Sequence, residues 1–350
     1  MKKMSVVVCL FLIVFVSAFA FIGCSKSTEQ GEVNLFIWTE YMPESVIRDF
    51  EKETGIKVNV ATYSSNEDLL AKVKGSNSGI YDIVVPSDYM IKMMVEEGLL
   101  EELDAPSLSN FKNIDPAYIN RDFDPQNKFS VPFMAGAAAL IINNTKVSEK
   151  ITSFAQLSSP KYENAIVVLD DYRAVIGAVA KALGYSFNAT SDTQLAKIDV
   201  AVQALKPNIK LRDSDSPKTA MLNGETIIGY MWSAEIAIAM QEDPTSFSIV
   251  FPTEGCYLFI DNMAILKGAK NVENAKKFID YILRAEVSKK ISEEYPYTNP
   301  NKAAVALLPD SYRNNPASNV PAEIFAKGEF IKDIGSKVEQ YDLIWTKFTK

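Results

Sequence analysis

Short apolar runs of strand length recur along this chain, each followed by one amphipathic segment of helix length. That alternation leaves few folds open. Val33-Asn34-Leu35-Phe36-Ile37-Trp38 reads as a buried strand, and a helix with Val46, Ile47 and Phe50 on one face follows it, stopped by Gly55. Ile56 to Val60 forms a second strand and Asn66 to Val73 a second helix. A third strand, Tyr81-Asp82-Ile83-Val84-Val85, ends at Pro86. Strands separated by single helices imply right-handed crossovers and a mainly parallel sheet with helices on both faces. After Pro132 the small residues Ala135-Gly136-Ala137-Ala138-Ala139 lead into Leu140-Ile141-Ile142, a crossing strand or hinge. A second alternating region runs from Ile166-Val167-Val168-Leu169 to Thr226-Ile227-Ile228-Gly229-Tyr230. Between these strands, Ser191 and Gln194 predict a capping box for a helix carrying Leu195, Ile198, Val202 and Leu205. Leu258 to Leu266 is a further strand, and the helix after it turns Val272, Ala275, Phe278 and Ile282 inward. With no repeat, low-complexity tract or flexible linker, the pattern predicts two α/β lobes joined by strands.

Composition narrows the chemistry. The chain has 350 residues, enough for two domains, and no histidine, which excludes Ser-His-Asp and Cys-His mechanisms and most zinc sites. Its 36 Lys+Arg against 44 Asp+Glu argue against a nucleic-acid partner and fit a cationic one better. No Gly-rich nucleotide or phosphate loop occurs, so no cofactor is expected.

The N-terminus reads as an export signal. Lys2 and Lys3 precede an uncharged stretch from Met4 to Ile22, long enough that a retained membrane helix competes with a cleaved signal. Its ending, Phe21-Ile22-Gly23-Cys24 before a polar run, resembles a bacterial lipobox, in which the Cys is acylated after cleavage; Phe21 departs from the usual Leu. Either reading leaves the body outside the cytoplasm. Removing residues 1–23 takes two of the basic residues and no acid, moving the net charge from −8 to −10. Cys256 then stands alone, a buried apolar residue rather than half of an internal disulfide.

Six motifs pair aromatics with acids or turn residues, several of them where strands end and open α/β sheets hold ligands. They are Trp38-Thr39-Glu40-Tyr41, Pro86-Ser87-Asp88-Tyr89, Leu169-Asp170-Asp171-Tyr172-Arg173, Gly229-Tyr230-Met231-Trp232-Ser233, Phe259-Ile260-Asp261-Asn262-Met263 and Tyr295-Pro296-Tyr297-Thr298-Asn299-Pro300. Each has a bland alternative: Trp38 packing on a sheet edge, Ser87 capping a helix, one of Asp170 and Asp171 acting as an N-cap. Asp261 resists it most, because a carboxylate inside an apolar strand costs several kcal/mol unless paired. Acids among Trp and Tyr suit an organic cation with an aliphatic body. Charged hydrogen bonds to its amines contribute roughly 1.5–3 kcal/mol each, and aromatic faces about 0.5–2 kcal/mol per cation contact. A ferric site through Tyr295 and Tyr297, a sugar or amino-acid ligand, a glycosidase pairing Asp171 with Asp261, and a purely structural surface protein are the competing classes.

The blocks Phe36-Ile37-Trp38-Thr39-Glu40-Tyr41, Phe50-Glu51-Lys52-Glu53-Thr54-Gly55-Ile56-Lys57-Val58, Tyr81-Asp82-Ile83-Val84-Val85-Pro86-Ser87 and Tyr297-Thr298-Asn299-Pro300-Asn301 keep order and spacing over most of the chain. In this the sequence resembles the bacterial spermidine/putrescine-binding proteins, type II periplasmic solute-binding proteins that deliver polyamines to an ABC importer. The resemblance implies a two-lobed α/β fold hinged by crossing strands, no enzymatic activity, and a ligand clamped between the lobes. It matches Trp38, Tyr41, Ser87, Tyr89, Asp171, Trp232, Asp261 and Tyr297 to ligand-contacting positions, with Phe259 where the family has a cleft Trp. Ala174 stands for a family Glu and Ile331 for a cleft Gln, which removes partners for additional amines and predicts that putrescine binds at least as tightly as spermidine. The implied organisation is a signal peptide over 1–23, a lipidated tether over 24–32, one lobe of 33–135 plus 260–305, and a second of 136–259 plus 306–350. A lipid-anchored monomer on the periplasmic side of a bacterial membrane, partnered by a permease, completes the expectation.

Overall fold

The computed structural model describes residues 31–76 and 79–350; the signal sequence and Cys24 lie outside the described residues. The first unit follows the expected alternation: β1 (Glu32–Trp38), α1 (Glu44–Thr54), β2 (Lys57–Tyr63), α2 (Asn66–Gly75), β3 (Ile83–Val84) and α3 (Asp88–Glu96). Helix α1 buries Val46 and Phe50 and ends at Gly55, whose left-handed φ of 71° lets its N–H reach Glu51 O at 2.8 Å. The third strand is shorter than the apolar run suggests, only Ile83 and Val84 pairing within it.

The long β4 (Ser130–Asn143), fully buried, then leads to β5 (Ile166–Val168), α4 (Tyr172–Ala182), α5 (Asp192–Leu205), β6 (Ile209–Arg212), α6 (Lys218–Leu222), β7 (Ile228–Trp232), α7 (Ser233–Glu242) and β8 (Phe247–Val250). Helix α5 buries Leu195, Ile198, Val202 and Leu205 as its spacing requires. The capping box does not form: Ser191 is the N-cap residue but its side chain accepts no cap hydrogen bond. The chain returns through β9 (Tyr257–Ile265), α8 (Val272–Ile282), α9 (Ala285–Glu294), short helical turns, β10 (Glu329–Phe330) and α10 (Val338–Thr349). In α8, Ala275, Phe278 and Ile282 are buried and Val272 is half-buried.

The strands hydrogen-bond in the order β2-β1-β3-β9-β4-β7-β5-β6, with β8 on β4 and β10 on β9. Both ends of this path are parallel, as the crossover helices demand. Its centre is antiparallel: β4 pairs with β9, β7 and β8, and β9 with β3. Strand β4 lies beside β9 along its first part and beside β7 and β8 along its second, so it runs from one lobe into the other, and β9 brings the chain back. Ala135 opposes Ile260 and Gly136 opposes Phe259 in that pairing. Cys256 is buried and free, packed with Ala137, Leu258 and Val320.

Candidate functional site

The strand ends converge on a cleft of about 570 Å³, the space at its open mouth included. At the exit of β1, Glu40 takes a left-handed φ of 51°, and this reversal lets Trp38 and Tyr41 both line the cleft. The Trp38 indole N–H donates to Val85 O at 2.8 Å, which fixes the ring beside the end of β3. Ser87 begins α3 as its N-cap residue without a side-chain cap bond. Its hydroxyl instead donates to Asp261 Oδ1 at 2.6 Å, while Asn66 accepts from the Ser87 N–H and donates to its Oγ. The Tyr41 hydroxyl donates to Asp261 Oδ2.

Asp261, buried in β9, thus has two neutral donors and no cation among the described residues. Burial pushes its carboxyl up to about 7, against the lowering effect of the Ser87 and Tyr41 hydrogen bonds. Asp88, also buried, accepts the Ile260 N–H at 2.8 Å; burial raises it to about 7 as well, and Asp261 adds to the rise. Of these two buried carboxyls only Asp261 lines the cleft, and it has no counter-ion there among the described residues.

Asp171 lines the cleft at the N-terminus of α4. It is the residue that caps the helix, accepting the Ala174 N–H at 2.9 Å through Oδ1. The sequence allowed one capping and one free Asp; instead Asp171 caps while also lining the cleft, and Asp170 pairs at the surface with Arg212 at 3.5 Å. Burial, then the charge of Glu67, raises Asp171 to about 6. Aromatic rings form a continuous wall. Trp232 lies 5.4 Å from Phe259 and 5.8 Å from Tyr257, Phe259 6.0 Å from Tyr297, and Tyr297 5.0 Å from Tyr41, centroid to centroid.

Gly136 on β4 accommodates that wall: a Cβ there would stand 2.7 Å from Phe259 Cζ and 3.0 Å from Ser233 Oγ. Gly136→Ala is therefore expected to displace the Phe259 ring and weaken ligand binding by about tenfold, with only a modest shift in Tm. Titration calorimetry and melting curves check this; unchanged affinity would show that the Phe259 position is immaterial.

Eight of the nine expected side chains line the cleft: Trp38, Tyr41, Ser87, Asp171, Trp232, Phe259, Asp261 and Tyr297. Tyr89 does not line it; the ring is buried and its hydroxyl donates to Glu67 Oε1 at 3.0 Å. Ala174 and Ile331 are both buried and offer no polar side-chain group. Glu235 and Tyr257 also line the cleft, yet neither is singled out by sequence reasoning. Glu235 lies three residues after Trp232 in what reads as an ordinary first helical turn, and Tyr257 is one more apolar residue of a strand. Among the described residues, no group of three His, Cys, Asp or Glu is placed to hold a metal ion, and no arginine stands on the cleft wall to receive a carboxylate.

A two-lobed α/β body with a deep aromatic and acidic cleft where its strands end defines a binding protein that encloses a small solute. The chain belongs to the bacterial extracellular solute-binding protein family, which matches residues 45–321. It is 36% identical over 326 residues to the spermidine/putrescine-binding periplasmic protein of Salmonella typhimurium, covering 93% of each chain. Among solved structures, it resembles the spermidine/putrescine ABC transporter substrate-binding protein PotD of Streptococcus pneumoniae, with a TM-score of 0.77 at 32% identity, covering 91% of this chain and 99% of that one. The Tp0655 lipoprotein of Treponema pallidum aligns with a TM-score of 0.79 at 26% identity, covering 91% and 99% of the two chains.

Proposed function

We propose that this protein captures putrescine or spermidine in its cleft outside the cytoplasm and delivers it to the permease of an ABC transporter. The observation that carries the reading is Asp261: a buried carboxylate with no cationic partner, in an aromatic cleft that also holds Asp171. A terminal ammonium would supply the missing charge at Asp261, a second amine would meet Asp171, and Trp232, Phe259 and Tyr297 would cover the methylenes. Relatives of this length named for the same ligands support it. Calorimetric titration of residues 25–350 with putrescine, spermidine and a neutral diol tests it. Both amines are expected to bind, putrescine at least as tightly as spermidine, and the diol not at all; equal binding of the diol would overturn the reading.

The lobes of this reading are 33–135 plus 260–305 and 136–259 plus 306–350, with the boundaries at the Ala135–Ile260 and Gly136–Phe259 pairs of the crossing strands. The body acts as a monomer, tethered through lipid on Cys24; the Gly23-Cys24 junction and the lipoprotein relative support the tether. A labelled fatty acid should mark the wild-type chain and not Cys24→Ser, and equal labelling of both would remove the anchor.

A further inference from the structure

The amino group of Lys218, on α6, lies between two acids of the cleft wall. Its Nζ donates to Glu235 Oε2 at 2.9 Å and Oε1 at 3.2 Å, to Glu40 Oε2 at 3.1 Å, and to Ser216 Oγ at 3.0 Å. Glu40 and Glu235 both line the cleft, Glu235 almost wholly buried, and the Lys218 side chain is 14% exposed. Chemically this is a primary ammonium on a four-carbon methylene chain, the same unit that terminates an aliphatic polyamine, but supplied by the protein itself.

The acids of the cleft wall fall into three places: Asp261 on β9, held by Ser87 and Tyr41; Asp171 at the N-terminus of α4; and the Glu40–Glu235 pair bridged by Lys218, with Asp215 also on the wall. Among the described residues, Asp261 has no protein cation against it, and Asp171 forms no ion pair, feeling only the Arg173 guanidinium, which donates to Asn188 and to Lys332 O. The third, the Glu40–Glu235 pair, already holds a protein cation.

We propose that Lys218 is a built-in occupant of this third anionic station and thereby restricts the cleft to ligands that present two ammonium groups. The inference rests on the polyamine reading above and deepens it. A triamine reaching toward Glu40 and Glu235 meets both oxygens of Glu235 and one of Glu40 already bonded to Lys218, together with the repulsion of the Lys218 cation itself. Burial works against the lysine's charge, but Glu235 and Glu40 outweigh it and hold the ammonium protonated above its ordinary range.

The test uses the full chain in detergent, titrated with putrescine and spermidine. Lys218→Met is expected to shift the affinity ratio toward spermidine by about tenfold or more, whereas Lys218→Arg, which keeps the cation, should leave the ratio within about threefold of wild type. A second measurement needs no variant: in the wild-type protein, at least one of the two monoacetylspermidines should bind within about threefold of spermidine, because one amine has no station to fill. An unchanged ratio in Lys218→Met, or a loss above about tenfold for both acetylated ligands, would overturn the role of Lys218. Failure of wild type to bind either amine would instead remove the polyamine reading, and this inference with it.

Discussion

Replacing Asp261 by Asn is expected to weaken polyamine binding by about 30-fold or more while leaving the fold intact. Asn has nearly the same volume; its carbonyl can still accept from Ser87 Oγ, and its amide can donate toward the Tyr41 oxygen. What disappears is the negative charge. A desolvated ammonium would then sit in the cleft without a counter-ion, a loss of about 2–5 kcal/mol. The empty protein should respond in the opposite sense, because Asn relieves a buried, unpaired carboxylate; its Tm is expected to hold or rise. Asp171→Asn should weaken binding similarly, since Asn also serves as an N-cap and keeps the Ala174 hydrogen bond available. Parallel titrations and melts separate the charge from the fold. Wild-type affinity in Asp261→Asn would remove this residue from the site.

Acidification is expected to weaken binding steeply. Both acids assigned to the ligand's amines are raised, Asp261 to about 7 and Asp171 to about 6, chiefly by burial. Each must be ionised to hold an ammonium, and an alkyl ammonium itself stays protonated up to about pH 10. Protons therefore compete with the ligand below these values. Lowering the pH from about 8 to about 5 should reduce affinity on the order of 10²- to 10³-fold, and titrations near pH 6.5 should release protons on binding. The same shifts act on stability. A carboxyl whose folded pKa lies above its unfolded value contributes most below the unfolded value, and the contribution is lost as pH rises through the folded one. The empty protein should thus lose stability from about pH 4 to pH 7 through Asp261 and Asp171, and saturating putrescine should restore it at neutral pH. A pH-independent affinity across this range would contradict the buried, ionisable site.

The cleft was largely legible before any geometry because its residues sit in strand-to-helix junctions whose local sequence announces them. Trp38 and Trp232 end their strands, Ser87 and Asp171 come three residues after theirs, and a strand end in an open sheet faces the ligand crevice whatever its neighbours are. Asp261 stood out for a different reason: a charge in an otherwise apolar strand demands a partner. Tyr89 shared the motif of Ser87 but lies two residues further on, about 200° around the helix, and its hydroxyl goes to Glu67 instead.

The local residues of this chain determined the alternation of strands and helices, the aromatic and acidic strand ends, and the absence of histidine chemistry, because each depends on neighbours along the chain. Only the tertiary structure decided the antiparallel centre of the sheet. The apolar run from Ala135 to Ile142 satisfies parallel and antiparallel pairing equally well, and its partners β7, β8 and β9 lie far away in sequence. The Glu40–Lys218–Glu235 cluster is of the same kind. Glu40 belongs to a motif the sequence singles out, but Lys218 and Glu235 look like ordinary surface charges within their own segments. The cluster's meaning comes from burial and proximity, and these arise only when segments distant along the chain fold against one another.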